Sequence, residues 1–360
     1  TTGALAVTDA RALRVSDPVS AASMALTVGG DLTLAAAVST PGTLDLEVSG
    51  AVTQGTAPVT ATTLLGRAAS LSLDMAGNSV ATLGAFTTTG AFALADSRPL
   101  SVSGPLSAAS ASLGVAGDLT LAGTMSIPGT LSLSATGAIT QPGGTVAAGT
   151  LTGNAASASL GQANAVGTLG AFATTGGFAL TDGQALTVSG PVSASSASLV
   201  VAGDLALTGT ITTPGTLTLS STGAITQTSG TVTAITLTGS AASVTLSQNN
   251  TVTTLGAFAT TGSFALANGQ ALTVAGPLLA GTANLSTAGN LTLAGTVTTP
   301  GTLTLAAGGA ITQSGGSITA GVLAGNGASA ALGSTGNSVG TLGGFSTTGA
   351  FALTDARPLT

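Results

Sequence analysis

Few side chains of this sequence are equipped for chemistry. Its 360 residues carry 11 carboxylates and 5 cationic groups, all arginine, with no histidine, cysteine, lysine, tryptophan or tyrosine. The acids fall into columns. Asp9, Asp96, Asp182, Asn268 and Asp355 occupy one recurring position, and Asp31, Asp118, Asp204 and Asn290 another. Calcium needs about six to eight oxygens converging on one point. Here single acids stand some 86 residues apart, Asn replaces Asp in both columns, and the Gly-Gly-x-Gly-x-Asp calcium repeat is absent. The columns read as Asp or Asn accepting backbone N–H bonds in a turn before a strand. Whether any such turn also takes calcium is left open.

Asp45 and Glu47 are the one close pair of acids with glycosidase character. Two apart on a strand, they share a face. Their counterparts in the next repeat are Ser132 and Ser134, so they read as an acidic surface spot. The many serines have no His, Lys or Cys to activate or replace them. Thr-x-Thr pairs such as Thr216 to Thr218 and Thr302 to Thr304 suggest a water-ordering, ice-binding face. Thr43-Leu-Asp45 and Thr130-Leu-Ser132 break that array. No catalytic, cofactor-binding or metal-ligating residue is assigned, and no enzyme is expected.

The scaffold speaks more clearly. Hydrophobic residues make up 44%, charged residues 4%, and glycine numbers 54. Ordinary domains are about a quarter charged, and disordered chains are polar and charged; a chain this apolar can bury a core. Strand-favouring Thr is abundant and strong helix formers other than Ala and Leu are scarce. The net charge of −6 offers no basic footprint for nucleic acid. No apolar run reaches the roughly 18 residues of a membrane-spanning helix, and a β-barrel would want aromatic girdles and longer strands.

Internal repetition organises everything. The phrase beginning Thr-Thr-Gly places its glycine at Gly3, Gly90, Gly176, Gly262 and Gly349, spaced by 87, 86, 86 and 87 residues. Pro41, Pro128, Pro214 and Pro300 keep the same beat in Pro-Gly-Thr turns, as do Gln54, Gln141, Gln227 and Gln313. All eight Phe form two series: Phe86, Phe172, Phe258 and Phe345, then Phe92, Phe178, Phe264 and Phe351. These are expected to fill one wide corner per repeat. The repeats run 3–89, 90–175, 176–261 and 262–348, and a fifth opens at 349–360. The spacing from Gln to the following Asn (Asn78, Asn164, Asn250, Asn337) is 24, 23, 23 and 24, so one turn in that interval absorbs an insertion.

Within a repeat, short alternating bursts are bounded by Gly, Pro-Gly or Asn. Leu205, Ile225, Val244 and Phe264 follow at intervals near 20, predicting about four coils per 86–87-residue repeat. Such coils bury their apolar face only by stacking. The expected fold is all-β, a single parallel β-solenoid over 1–360.

Phrases such as Gly223-Ala-Ile-Thr-Gln227, Gly203-Asp-Leu-Ala-Leu207, Pro214-Gly-Thr-Leu-Thr-Leu219 and Asn250-Thr-Val-Thr-Thr-Leu255 resemble the repetitive shafts of filamentous haemagglutinin-like and other β-strand-repeat bacterial surface adhesins. The resemblance spans the whole chain. It implies a right-handed parallel β-helix, two-partner or autotransporter-type export, an extracellular place on the bacterial surface, and a role in adhesion, aggregation or biofilm. It supplies no catalytic residues. Expected partners are neighbouring repeats, further copies end to end, and a receptor outside this segment, with neither nucleic acid nor a membrane span. A self-assembling matrix filament or sheath is the alternative, and ice binding the third reading.

Overall fold

The computed structural model describes residues 3–358. Thr1, Thr2, Leu359 and Thr360, which the expected 1–360 segment includes, lie outside the described residues. The chain gathers into two compact units, one ending at Asp182 and one starting at Gly183.

Each unit is a stack of short parallel strands, and no helix occurs among the described residues. One turn of the first unit shows the plan. The strand Ser23–Val28 gives way at Gly29-Gly30 to Leu32–Leu34, then to Val38–Ser39, and the chain returns at Thr43–Val48. Along each strand burial alternates, because successive side chains point to opposite faces. The inward ones stack: Met24 pairs with Leu44, and Leu44 with Leu64. Such leucines are fully buried, each worth about 1.5–3 kcal/mol over exposure. The outward ones are mostly Thr, Ser and Ala. A β-solenoid results, as the repeat pattern predicts. The predicted column Leu205, Ile225, Val244, Phe264 is in register pair by pair.

Each turn has two sides, and these sharpen the expected "about four" turns per repeat. On one side of the first unit run Leu5, Met24, Leu44, Leu64, Leu83 and Val102. On the other run Leu13, Leu32, Val52, Leu71, Phe92, Ala111 and Leu131. Phe92 is the repeat counterpart of Leu5, yet it lies in the column of Leu13. A repeat therefore advances four and a half turns, and its successor presents the same residues on the opposite side. The second unit repeats the rule. Leu186 leads in four steps to Phe264, whereas its counterpart Leu272 leads through a separate column to Phe351.

The half-turn step explains the aromatic series. Phe86 comes from one side and Phe92 from the other, and their rings meet in the core with centroids 5.3 Å apart. The later pairs meet at 4.8, 5.1 and 4.9 Å. A glycine in the adjacent turn makes room: a Cβ on Gly153, Gly239 or Gly325 would stand 2.8, 3.1 or 3.0 Å from the neighbouring Phe ring.

The proline markers divide. Pro41 sits in an open turn, but Pro128, Pro214 and Pro300 lie inside the strands Met125–Ala135, Ile211–Ser221 and Val297–Ala307. There the register slips, between Ile127 and Thr130, Thr213 and Thr216, and Thr299 and Thr302. A bulge is where a strand tolerates a residue without an N–H. At the Thr-Thr-Gly marker, Gly90 and Gly176 donate their N–H across the stack to Ala69 and Ala156, each at 2.7 Å, and Gly349 donates to Ala328 at 2.7 Å.

Candidate functional site

In the first acid column, the strand Ala91–Asp96 ends on an aspartate turned inward. Asp96 is 3% exposed. Its Oδ2 accepts the Val80 N–H at 2.6 Å and its Oδ1 the Arg98 N–H at 2.8 Å. Asp355 repeats both contacts, with Val339 and Arg357 at 2.8 Å each. Asp9 accepts from the Arg11 N–H at 2.9 Å, and Asp182 from the Val166 N–H at 2.8 Å. Asn268 keeps the inward bond, accepting from Val252 N–H at 2.8 Å, and adds its own donation to Val252 O at 2.9 Å. An oxygen acceptor is what the position needs, so Asp and Asn interchange.

The second column works one turn apart. Asp31, Asp118, Asp204 and Asn290 each accept, through Oδ1, the N–H of Ala51, Ala138, Ala224 and Ala310 at 2.8–2.9 Å. The residue before each of those alanines is glycine for a spatial reason. A Cβ on Gly50, Gly137, Gly223 or Gly309 would lie 2.1–2.2 Å from that same oxygen. Both columns are thus turn fasteners, as their composition predicts. Among the described residues no group of three or more metal-ligating side chains comes together.

Burial pushes the Asp96 carboxyl above its ordinary value, against the two N–H donors and the Arg98 charge that pull it down. Burial also raises Asp45, and neighbouring Glu47 adds to the rise. The strand Thr43–Val48 does set Asp45 and Glu47 on one outward face, but they diverge in environment. Glu47 pairs with the Arg67 guanidinium of the next turn. Asp45 lies between Ala25 and Leu65 in the ladder, with Oδ1 buried and without a hydrogen-bond donor. A concavity of about 520 Å³ is lined by Glu47, Arg67 and Asp9 but not by Asp45, so the two acids do not share a site.

A polar lock recurs four times, on residues whose spacing marked the register but whose partnership the spacing alone did not reveal. Gln141 Nε2 donates to Asn164 Oδ1 at 2.7 Å, and Asn164 Nδ2 donates back to Gln141 Oε1 at 3.1 Å. The pairs 227/250 and 313/337 close at 2.8 and 2.9 Å, and 54/78 closes likewise. Asn164 also accepts the Val146 N–H at 2.8 Å and donates to Leu160 O and Thr181 O. These asparagines are fully buried, and saturation of every polar atom is what makes that tolerable. The insertion sits where the Gln-to-Asn spacing places it: Asn78 reaches Leu73 O, five residues back, whereas Asn164 reaches Leu160 O, four back.

The outward threonines align better than their motif suggests. Thr216, Thr236, Thr254, Thr273, Thr292 and Thr312 form one unbroken ladder in the second unit. In the first unit Thr43, Thr63, Thr82, Ser101, Thr120 and Thr140 do the same. The Thr-x-Thr motif misses this because each ladder takes one residue from each turn.

No curated protein and no solved structure matches the chain significantly. A family model matches residues 21–83, 108–165 and 194–254, stretches that begin one repeat apart and together span half of the sequence. By these matches the chain belongs to the family described as "Repeats of unknown function (DUF5649)".

Proposed function

We propose that this β-solenoid is a non-catalytic shaft segment of an exported fibre on a bacterial surface, holding an adhesive or aggregating part away from the cell. The observation that carries the reading is the use made of the chemically capable side chains. The acids of both columns and the Gln–Asn pairs fasten turns, and the rest of the repeat is a backbone ladder. Load along the stack is shared by strand-to-strand hydrogen bonds rather than by ion pairs, so salt has little to screen. The likeness to haemagglutinin-type shafts supports the extracellular assignment, and the lack of cysteine fits a chain exported unfolded.

The test is an epitope inserted in the slack turn between Asp74 and Asn78, followed by labelling of intact cells. Labelling without permeabilisation, and a shorter but still displayed fibre when residues 90–261 are deleted, are the expected results. Labelling only after lysis would refute the surface assignment.

A further inference from the structure

One outward sheet face of the second unit has a chemistry of its own. Its strands carry three parallel outward columns. The first is the ladder Thr216, Thr236, Thr254, Thr273, Thr292, Thr312. The second begins Ser198, Thr218, Thr238, with hydroxyls of Thr218 and Thr238 3.1 Å apart. The third is Val200, Ser220, Ser240, Ala259, Leu279, Thr298, Thr319. No charged residue occurs between Asp204 and Asp355. The large apolar side chains most exposed in the second unit's interior stand on or beside this face: Val200 at 41%, Leu279 at 48%, and Ile235, next to Thr236, at 54%. A shallow groove runs past Ser240, Ala259 and Leu279.

We propose that this face docks laterally against the same face of a second copy of the chain. A second copy suits this face on three counts. Seven turns about 4.8 Å apart, bounded by the first and third columns about 13 Å apart, make with their side-chain rims a face of roughly 34 by 18 Å, or about 600 Å². Two copies then bury roughly 1,200 Å², the lower bound for a stable specific interface. The face has no charge to desolvate or to repel its twin, and near-neutral surfaces associate. Finally, a second copy presents the same ladder spacing, so methyl and hydroxyl rows interleave along the full length, as small side chains do between stacked sheets. The inference goes beyond the shaft reading: it requires neither a receptor nor a compartment, and it differs from joining copies end to end.

The experiment uses the whole 360-residue chain. Sedimentation at rising concentration is expected to show conversion of one-chain to two-chain mass. Thr236→Arg with Thr273→Arg is expected to weaken association by about tenfold or more, equivalent to about 1.4 kcal/mol, with the circular-dichroism melt unchanged. Thr82→Arg, in the first unit's ladder, is expected to leave association as it is. Because the chain lacks cysteine, Ala259→Cys gives a single thiol midway along the third column and is expected to cross-link on oxidation. Asn284→Cys, exposed on the other side of the same unit, is expected not to. A wild-type chain that stays monomeric, or arginine variants that associate as well as wild type, would overturn the proposal. A monomer that shapes growing ice would reassign the face to ice.

Discussion

The two units have the same turns, the same locks and different surfaces. All charged residues except Asp204, Asp355 and Arg357 precede Gly183. Position by position, the first unit places Asp45, Glu47 and Arg67 where the second has Thr218, Ser220 and Ser240. The core columns and the Gln–Asn pairs do not notice the exchange. The comparison teaches that the interior specifies the solenoid, while the outward positions tune solubility and association. Changes to the shared interior should therefore hurt both units equally, and changes to the outward positions should hurt them unequally.

The largest effect is expected at the lock. Asn78→Leu in the first unit and Asn250→Leu in the second each orphan a buried N–H and several carbonyls, and each should cost about 3 kcal/mol or more. Hydrogen exchange resolved over the two units would read this, and a large loss in only one would break the claim of a common interior. Gly239→Ala comes next. Its φ of +150° and the crowding by Leu219 O and the Phe258 ring should make the change cost about 1–3 kcal/mol, measured by denaturant midpoint.

How much of this was legible in the sequence follows from what a periodic chain can and cannot encode. Gly3 to Gly349 and Leu205 to Phe264 gave the solenoid and its coil length, because inward positions recur with the turn. The half-turn offset stayed hidden, since a phrase that returns every 86 or 87 residues looks identical whichever side it faces. The acid columns were readable as fasteners because Asn268 and Asn290 substitute for Asp, which a metal site or a catalytic acid resists. The Gln–Asn pairing was not, because residues 23 or 24 apart meet only once the stack is built. The threonine ladders were underestimated for the same reason.

Smaller effects sharpen the contrast between surfaces. Asp45→Thr, the residue of the second unit, removes an unpaired buried oxygen and should stabilise the first unit by about 1 kcal/mol, whereas Thr218→Asp should destabilise the second by a similar amount. Thr213 has a fully buried hydroxyl without a partner where the second repeat has Ile127, so Thr213→Val should add about 1 kcal/mol. Thermal melts would register each of the three as a shift of a few degrees.

The smallest effect is on pH. Asp45 and Asp96 both have carboxyls raised above their ordinary value, and both belong to the first unit. There the folded state holds protons more tightly than the unfolded chain. Stability should therefore fall as pH rises from the ordinary carboxylate value through the raised values, and return on acidification. Asp96→Asn should remove its share of that slope. A slope that survives both Asp45→Thr and Asp96→Asn would contradict this assignment.

The half-turn step gives repeat number a parity. Losing or gaining one repeat within a run of this design shifts whatever follows by an odd number of half turns, and so exchanges front for back. Losing or gaining two restores the original facing while changing only length. A segment of this kind can thus be lengthened freely in pairs, and a single unequal duplication reorients everything beyond it without altering one residue of its core.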